Sequence, residues 1–363
     1  MITADLDREL AGALRSLAGR GALPGAVAHA APSGTWRPDP AGDPSGFATA
    51  APFAIAGSAG LSPAHVAAAV AGSFREVPWV ETATLSGQGY LTIRVTRQAL
   101  AVSAARMAAA GLACANSAIL AGTDATAWPW PDLAAARDWQ HAWQQQAQAM
   151  TGQFARAAGA AVLPPSDRER AGTADRLDAA TRSPVADAVA YFGSDWVRYW
   201  LARTMRGQSA WPAGAPASDA GMTWPSGRVS DPLYPVGQAY EAAVSAVRWA
   251  ADLGLEPATA TGRLGRQLSS PAERDLLGLL SFLPVRVAAA ARRRRPAEVP
   301  RYLEQVSATW LECRMRAPAL PFGGRAAPAD PVVAAARLVL AQAVAAVIGA
   351  GLALTGIAAP GRP

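Results

Sequence analysis

Lysine is absent from all 363 residues, so every cation behind the formal net charge of +6 is an arginine. That excludes Schiff-base chemistry, a P-loop lysine and any mobile ammonium clamp on a nucleotide phosphate. A GC-rich genome, replacing Lys by Arg and enriching Ala, Gly and Pro, is sufficient reason for the bias, and the chemical consequence is the same. Histidine is almost missing too: His29, His65 and His141 stand far apart. The two cysteines, Cys114 and Cys313, match no metal spacing and suit a reducing cytosol. Charged residues make up only 17% of the chain. Asp5, Asp7 and Glu9 occupy the N-terminus where a signal peptide would be basic and then apolar, so none is expected there.

What is present is apolar and helical. Half of the residues are hydrophobic, with Ala prominent, which places the chain among folded proteins. Its length predicts two or three domains. The uncharged run Leu338–Leu354 is only 17 residues long, Ala- and Gly-rich, and reads as a buried helix rather than a membrane span. The basic balance suits an anionic partner such as RNA, though charge alone is a weak indicator.

Leu6, Leu10, Leu14 and Leu17 mark one face of a first helix, with Thr3 as its expected cap. Pro32 to Gly46 reads as loop. A second helix is predicted over Ala48 to Gly57, and a third after Ser62-Pro63 carrying Val66, Val70 and Phe74. Val80–Leu85 and Tyr90–Val95 alternate around Ser86-Gly87-Gln88-Gly89, predicting a hairpin and hence a small α+β domain over residues 1–100. The stretch 101–190 is predicted as a degenerate, mostly helical region: a helix near Ala104 to Leu112, a turn-rich Thr123 to Pro131 with Trp128 and Trp130, a long helix from Leu133 to Ala161, and a polar linker from Leu163 to Ser183. It lacks the repeated strand and helix alternation of a nucleotide-binding sheet. From 191 a connector leads through a break at Gly207 to Ser226 into a helical bundle, 231–363, with helices predicted over Leu233–Leu253, Pro271–Arg292, Val299–Arg316 and Val332–Gly356.

Three stretches resemble arginyl-tRNA synthetase, in that family's order. Phe47-Ala48-Thr49 and Leu85 to Thr92 are similar to motifs of its amino-terminal domain. Gly193-Ser194-Asp195-Trp196-Val197-Arg198-Tyr199 resembles its Gly-x-Asp-Ala-Leu/Val-Arg-Tyr passage toward the anticodon-binding bundle. Asp231 to Val236, Trp310 to Arg314, and Ala335 to Pro360 resemble the bundle itself, of the class I (DALR) type. The chain looks most like actinobacterial synthetase-related anticodon-binding proteins, which keep the two flanking domains and lack the catalytic middle. The family holds ATP with a His-x-Gly-His turn and a lysine-containing loop. Neither occurs here, and Leu100 to Gly193 is too short for a full synthetase nucleotide-binding fold of roughly two hundred residues. The resemblance therefore implies a cytoplasmic protein that binds tRNA or a tRNA-like RNA without ligation. No catalytic, cofactor or metal residues are predicted, and no membrane contact.

Tyr234 and Tyr240 are candidates for stacking on unpaired bases, against a plain packing role; the family's Tyr-Ala-His-Ala-Arg continuation is Gln238-Ala239-Tyr240-Glu241-Ala242 here, so its His and Arg are missing. Arg292, Arg293, Arg294 and Arg295 could neutralise phosphates, or simply complement a helix C-terminus. Arg314, Arg316 and Arg325 are candidates to extend that patch. Arg198 reads as a packing residue; Trp139 and Trp143, four apart, read as anchors of a helix to the core, with a base-stacking platform as the alternative; Asp124, Asp138 and His141 read as surface groups with no nucleophile nearby. The alternative from another class is a protein-interaction module using the same bundle, which an apolar bundle face would favour.

Overall fold

In the computed structural model the described residues are 1–30, 32–167, 183–204, 231–259, 261–321 and 330–359. They are mainly α-helical with a small sheet region. Contacts divide the chain into two compact units: residues 1–114, 243–285 and 309–347, and residues 115–242, 286–308 and 348–363.

Helix α1 (Ile2–Gly19) buries Leu6, Leu10, Leu14 and Leu17 as the spacing predicts. It starts a residue or two earlier than its expected cap: Met1 is the N-cap without a side-chain bond, and Thr3 is buried inside the first turn. Two short strands follow, β1 (Arg37–Pro38) and β2 (Gly46–Thr49). The second corrects the helix predicted from Ala48. All four of its residues are buried, and the Thr49 hydroxyl accepts the Ala51 N–H at 3.0 Å, so helix α2 begins only at Ala51 and runs to Ala59. Helix α3 (Pro63–Phe74) starts at the predicted cap, where the Ser62 hydroxyl accepts the His65 N–H at 3.2 Å and Pro63 lies in the first turn.

The predicted hairpin is β3 (Val80–Ser86) and β4 (Tyr90–Val95), in register from Ser86↔Tyr90 to Ala83↔Ile93. The sheet order is β1-β2-β4-β3, all antiparallel. Phe47, Ala83, Leu91 and Ile93 are buried along it, and Leu85 and Tyr90 stay exposed. Helix α4 (Arg97–Ala110) starts seven residues before its predicted position, because Thr96 caps it by accepting the Ala99 N–H.

In the second unit β5 (Asp124–Thr126) and β6 (Ala161–Leu163) pair in parallel, joined through helix α5 (Trp139–Ala157). Alternation gave no sign of this single β-α-β crossover, and α5 starts at the Asp138 cap instead of Leu133. The polar linker predicted up to Ser183 falls largely outside the described residues, as does the break at 207–226. Helix α6 (Pro184–Phe192), capped by Ser183, is followed by α7 (Ser194–Thr204).

The bundle helices are α8 (Tyr234–Asp252), the short α9 (Leu264–Gln267), α10 (Pro271–Leu280), α11 (Leu283–Arg292), α12 (Glu298–Arg316) and α13 (Pro331–Leu354). One helix predicted over Pro271–Arg292 is thus two, broken at a turn in which Ser281 and Phe282 donate N–H bonds only three residues back. In the first unit α10 carries a capping box: the Ser270 hydroxyl accepts the Glu273 N–H and the Glu273 carboxylate accepts the Ser270 N–H. Glu273 is fully buried, and its other oxygen accepts the Nε–H of Arg337 on α13 at 2.7 Å. Arg337 also donates to the Pro318 carbonyl at 2.9 Å. Among the described residues two helices are long and apolar enough to cross a membrane, Arg97–Ala115 and Pro331–Leu354; two thirds of the most apolar part of the second is buried inside the protein.

Candidate nucleic-acid interface

The four-arginine run lies where α11 stops. The Arg293 N–H donates to the Ala289 carbonyl at 3.0 Å, the Arg294 N–H to Ala291 at 3.1 Å and the Arg295 N–H to Ala290 at 2.9 Å. Arg294 has φ 49°, and it is the one non-glycine with positive φ among the described residues. This is the Schellman closure of a helix, with arginine in the left-handed position that glycine usually fills. A sharp turn between α11 and α12 therefore projects the run outward, and all four side chains are exposed. Arg293 faces Glu298 at 3.6 Å; among the described residues it is the one member of the run paired with a carboxylate. Four guanidinium groups at a helix C-terminus are favoured by the dipole and remain available to an anion.

The other predicted residues are placed less favourably. Tyr234 is the first residue of α8 and 63% exposed, whereas Tyr240 is half-buried. Six helical positions put their side chains about 120° apart, so the two rings do not form one stacking face. Arg314 and Arg316 share the last turn of α12, in the first unit, on different sides of the helix. Arg316 is exposed and bonded to Glu312 at 2.8 Å. Arg314 is half-buried, and burial holds its guanidinium below the usual arginine range. Arg325 lies outside the described residues.

Arg198 is structural, in keeping with its packing assignment. Its guanidinium donates to the Gln146 side-chain oxygen at 3.1 Å and to the Pro131 carbonyl at 2.7 Å, and it stands 5.8 Å from the Trp130 ring centroid. Burial lowers its pKa, partly offset by Asp195 and Asp132. Gln146, fully buried, completes the chain of bonds by donating to the Thr355 carbonyl at 2.9 Å. This tie was not legible in the sequence, since residues 131, 146, 198 and 355 share no spacing. Trp139 is buried edge-on against Trp200, with centroids 5.3 Å apart, as an anchor rather than a platform. His141 is buried on α5, and among the described residues no three His, Cys, Asp or Glu side chains gather where a metal could sit.

A family model for the DALR anticodon binding domain matches residues 238–362. Over these residues the chain is similar to that domain, and over about half of its length it is similar to arginyl-tRNA synthetases. Arginine--tRNA ligases of Micrococcus luteus and Frankia alni are 32% and 33% identical to it over 177 residues, which is 48% of this chain and 30% of each relative. The chain thus spans under a third of the length of the curated relatives it matches. The solved arginyl-tRNA synthetase of Thermus thermophilus superposes with a TM-score of 0.51 at 13% identity, over 99% of this chain and 100% of that one, and at such identity the likeness shows the fold alone. The DALR match takes in Tyr240, the whole arginine run, Arg314 and Arg316, and leaves Tyr234 just outside. Within the domain, then, the exposed run at Arg292–Arg295 is the strongest candidate contact surface.

Proposed function

We propose that this protein binds tRNA, or an RNA of similar shape, through its DALR domain and does not aminoacylate it. The observation that carries the reading is the outward-facing Arg292–Arg295 run inside a domain matched to an anticodon-binding family. Phosphates are held well by guanidinium groups whose positions are set by a rigid turn. The non-catalytic half of the reading is supported by the residue inventory: no lysine, and three histidines with none paired at His-x-Gly-His spacing. The amino-terminal α+β domain over 1–100, the region 101–190 and the carboxy-terminal part from 191 are the functional divisions we assign, with the amino-terminal domain offering a second RNA contact. Two contacts on one RNA raise avidity when the spacing lets both engage. The two buried free cysteines fit a cytoplasmic location.

The test is filter binding of the full chain to total tRNA across a salt series. Binding should weaken linearly in log–log form, and replacing Arg292, Arg293 and Arg295 together by Ala should reduce the slope by up to about three. No binding at low salt would refute RNA recognition, and arginine-dependent ATP–pyrophosphate exchange by the pure protein would refute the absence of catalysis.

A second reading, a surface for a protein partner, is favoured by one observation: Trp249 in the last turn of α8 and Leu253 just after its end are 52% and 64% exposed. Replacing both by polar residues would leave tRNA binding unchanged under the first reading and abolish pull-down of a specific partner under the second.

A further inference from the structure

A cavity of about 630 Å³ opens in the second unit, walled by residues that directly follow the two parallel strands and by one face of α5. Such a volume is in the ordinary range for small-ligand sites, and the carboxyl ends of parallel strands are where open α/β units bind ligands. The cavity lies within residues 127–165, outside the DALR match.

Its walls are held in place. Gly152 sits mid-way along the lining face of α5, and a Cβ there would come within 2.7 Å of the Thr126 carbonyl oxygen and 3.0 Å of the Ala127 Cα. Only glycine lets the end of β5 lie this close to the helix, which sets Trp128 and Trp130 opposite Gln145, Gln148, Gln153 and Arg156. Those four polar residues fall within roughly 140° of the α5 circumference. Trp130 is fixed from behind: its ring packs on Gly356, where a Cβ would lie 2.8 Å from the ring, and Arg198 stands over it while tied to Pro131 and Gln146. Trp128 is half-buried.

Among the described residues the lining has two indoles, three carboxamides, one exposed guanidinium and no carboxylate. The Arg156 guanidinium donates to the Gln153 side-chain oxygen at 3.4 Å; a wholly apolar ligand would leave the Gln145 and Gln148 amides unmatched, and a cation would meet Arg156. A flat heteroaromatic ring with donors and acceptors on its edge and an anion attached satisfies every group. We propose that this cavity binds an unpaired nucleobase together with its phosphate, the base stacking on Trp128, the glutamine amides reading its edge and Arg156 holding the phosphate. The base can come from a single-stranded RNA segment or from a free nucleotide.

Calorimetric titration of the full chain with AMP, GMP, CMP and UMP, with the matching nucleosides, and with total tRNA tests this. At least one monophosphate should bind. Trp128→Ala should weaken it about tenfold, in line with base–aromatic stacking. Arg156→Ala should weaken the monophosphate and leave the nucleoside unchanged, and Gln148→Leu should change which base is preferred. If Trp128→Ala also weakens tRNA, the occupant is a base of the RNA; if it affects mononucleotides alone, the occupant is a free nucleotide. Failure of all four monophosphates to bind at millimolar concentration overturns the proposal, as does unchanged affinity in a folded Trp128→Ala variant. Loss of tRNA binding on neutralising Arg292–Arg295 bears on the DALR surface alone and leaves monophosphate binding intact.

Discussion

The ion pair between Glu273 and Arg337 joins α10 to α13 inside the first unit, and its two ends differ in burial in a way that predicts unequal costs. Glu273 is fully buried, whereas the Arg337 side chain keeps 18% exposure and a second acceptor in the Pro318 carbonyl. Arg337→Met removes the cation and leaves a buried carboxylate whose remaining bond is to the Ser270 N–H, so it should cost about 3–5 kcal/mol. Glu273→Gln keeps an oxygen for the helix cap and leaves the cation its carbonyl and partial hydration, so about 1–3 kcal/mol is expected. The double variant has no charge to strand, and its cost should fall below the sum of the singles by about 1–3 kcal/mol. Urea unfolding followed by tryptophan fluorescence and far-UV circular dichroism would measure all three. An Arg337→Met midpoint equal to wild type, or strict additivity in the double variant, would refute this account of how α10 and α13 are held.

Arg294→Gly should stabilise the protein by about 0.5–1 kcal/mol by relieving the left-handed strain, seen as a higher urea midpoint, while low-salt tRNA affinity falls with the lost cation. Gly278→Ala should destabilise by about 1–3 kcal/mol in the same assay, because a Cβ would lie 2.1 Å from the Pro44 carbonyl oxygen and α10 would have to shift away. Burial pushes the thiols of Cys114 and Cys313 from 9.0 up to about 12, so the unfolded chain gives up these protons first. Stability should be flat from these groups below pH 9 and fall between pH 9 and 12 by up to about 1.4 kcal/mol per pH unit per thiol, with the slope reduced in Cys114→Ala and Cys313→Ala variants.

What the sequence disclosed and what it hid follow from the range of the forces involved. Ser62-Pro63 and the turn at Ser86–Gly89 act within three or four residues, so α3 and the hairpin could be read directly. The break after Leu280 was missed although the sequence carries its signal: the helical spacing of Leu276, Leu280, Leu283 and Val287 suggests one helix, but Pro284 costs a bond in a helix interior and is accommodated in the first turn of α11. Strand β2 has no polar face to alternate with, and β5 and β6 are three residues each, too short for a period of two to register. At the candidate interface the cations were evident in the sequence, but the left-handed Arg294 that aims them was not, because arginine ordinarily avoids that conformation.

Arg198 shows why family resemblance and contact surface separate in this chain. The passage Gly193 to Tyr199 is one of the stretches that resemble a synthetase, yet its arginine is spent inside the second unit, bonded to Gln146 and Pro131 and stacked near Trp130. Tyr199 in the same motif is fully buried, donates to the Pro300 carbonyl at 3.2 Å, and has its phenol pKa raised by burial. Residues of this kind are retained when a fold is retained, because deleting either partner strands a buried polar group at a cost of about 1–3 kcal/mol. An RNA contact has no such constraint, since an exposed arginine lost from a turn leaves the core untouched. In this chain the passage Gly193 to Tyr199 therefore ties helices together within the second unit. The anion contact proposed above rests instead on the exposed run at Arg292–Arg295, whose turn is closed by backbone bonds and whose one carboxylate contact among the described residues is from Arg293 to Glu298.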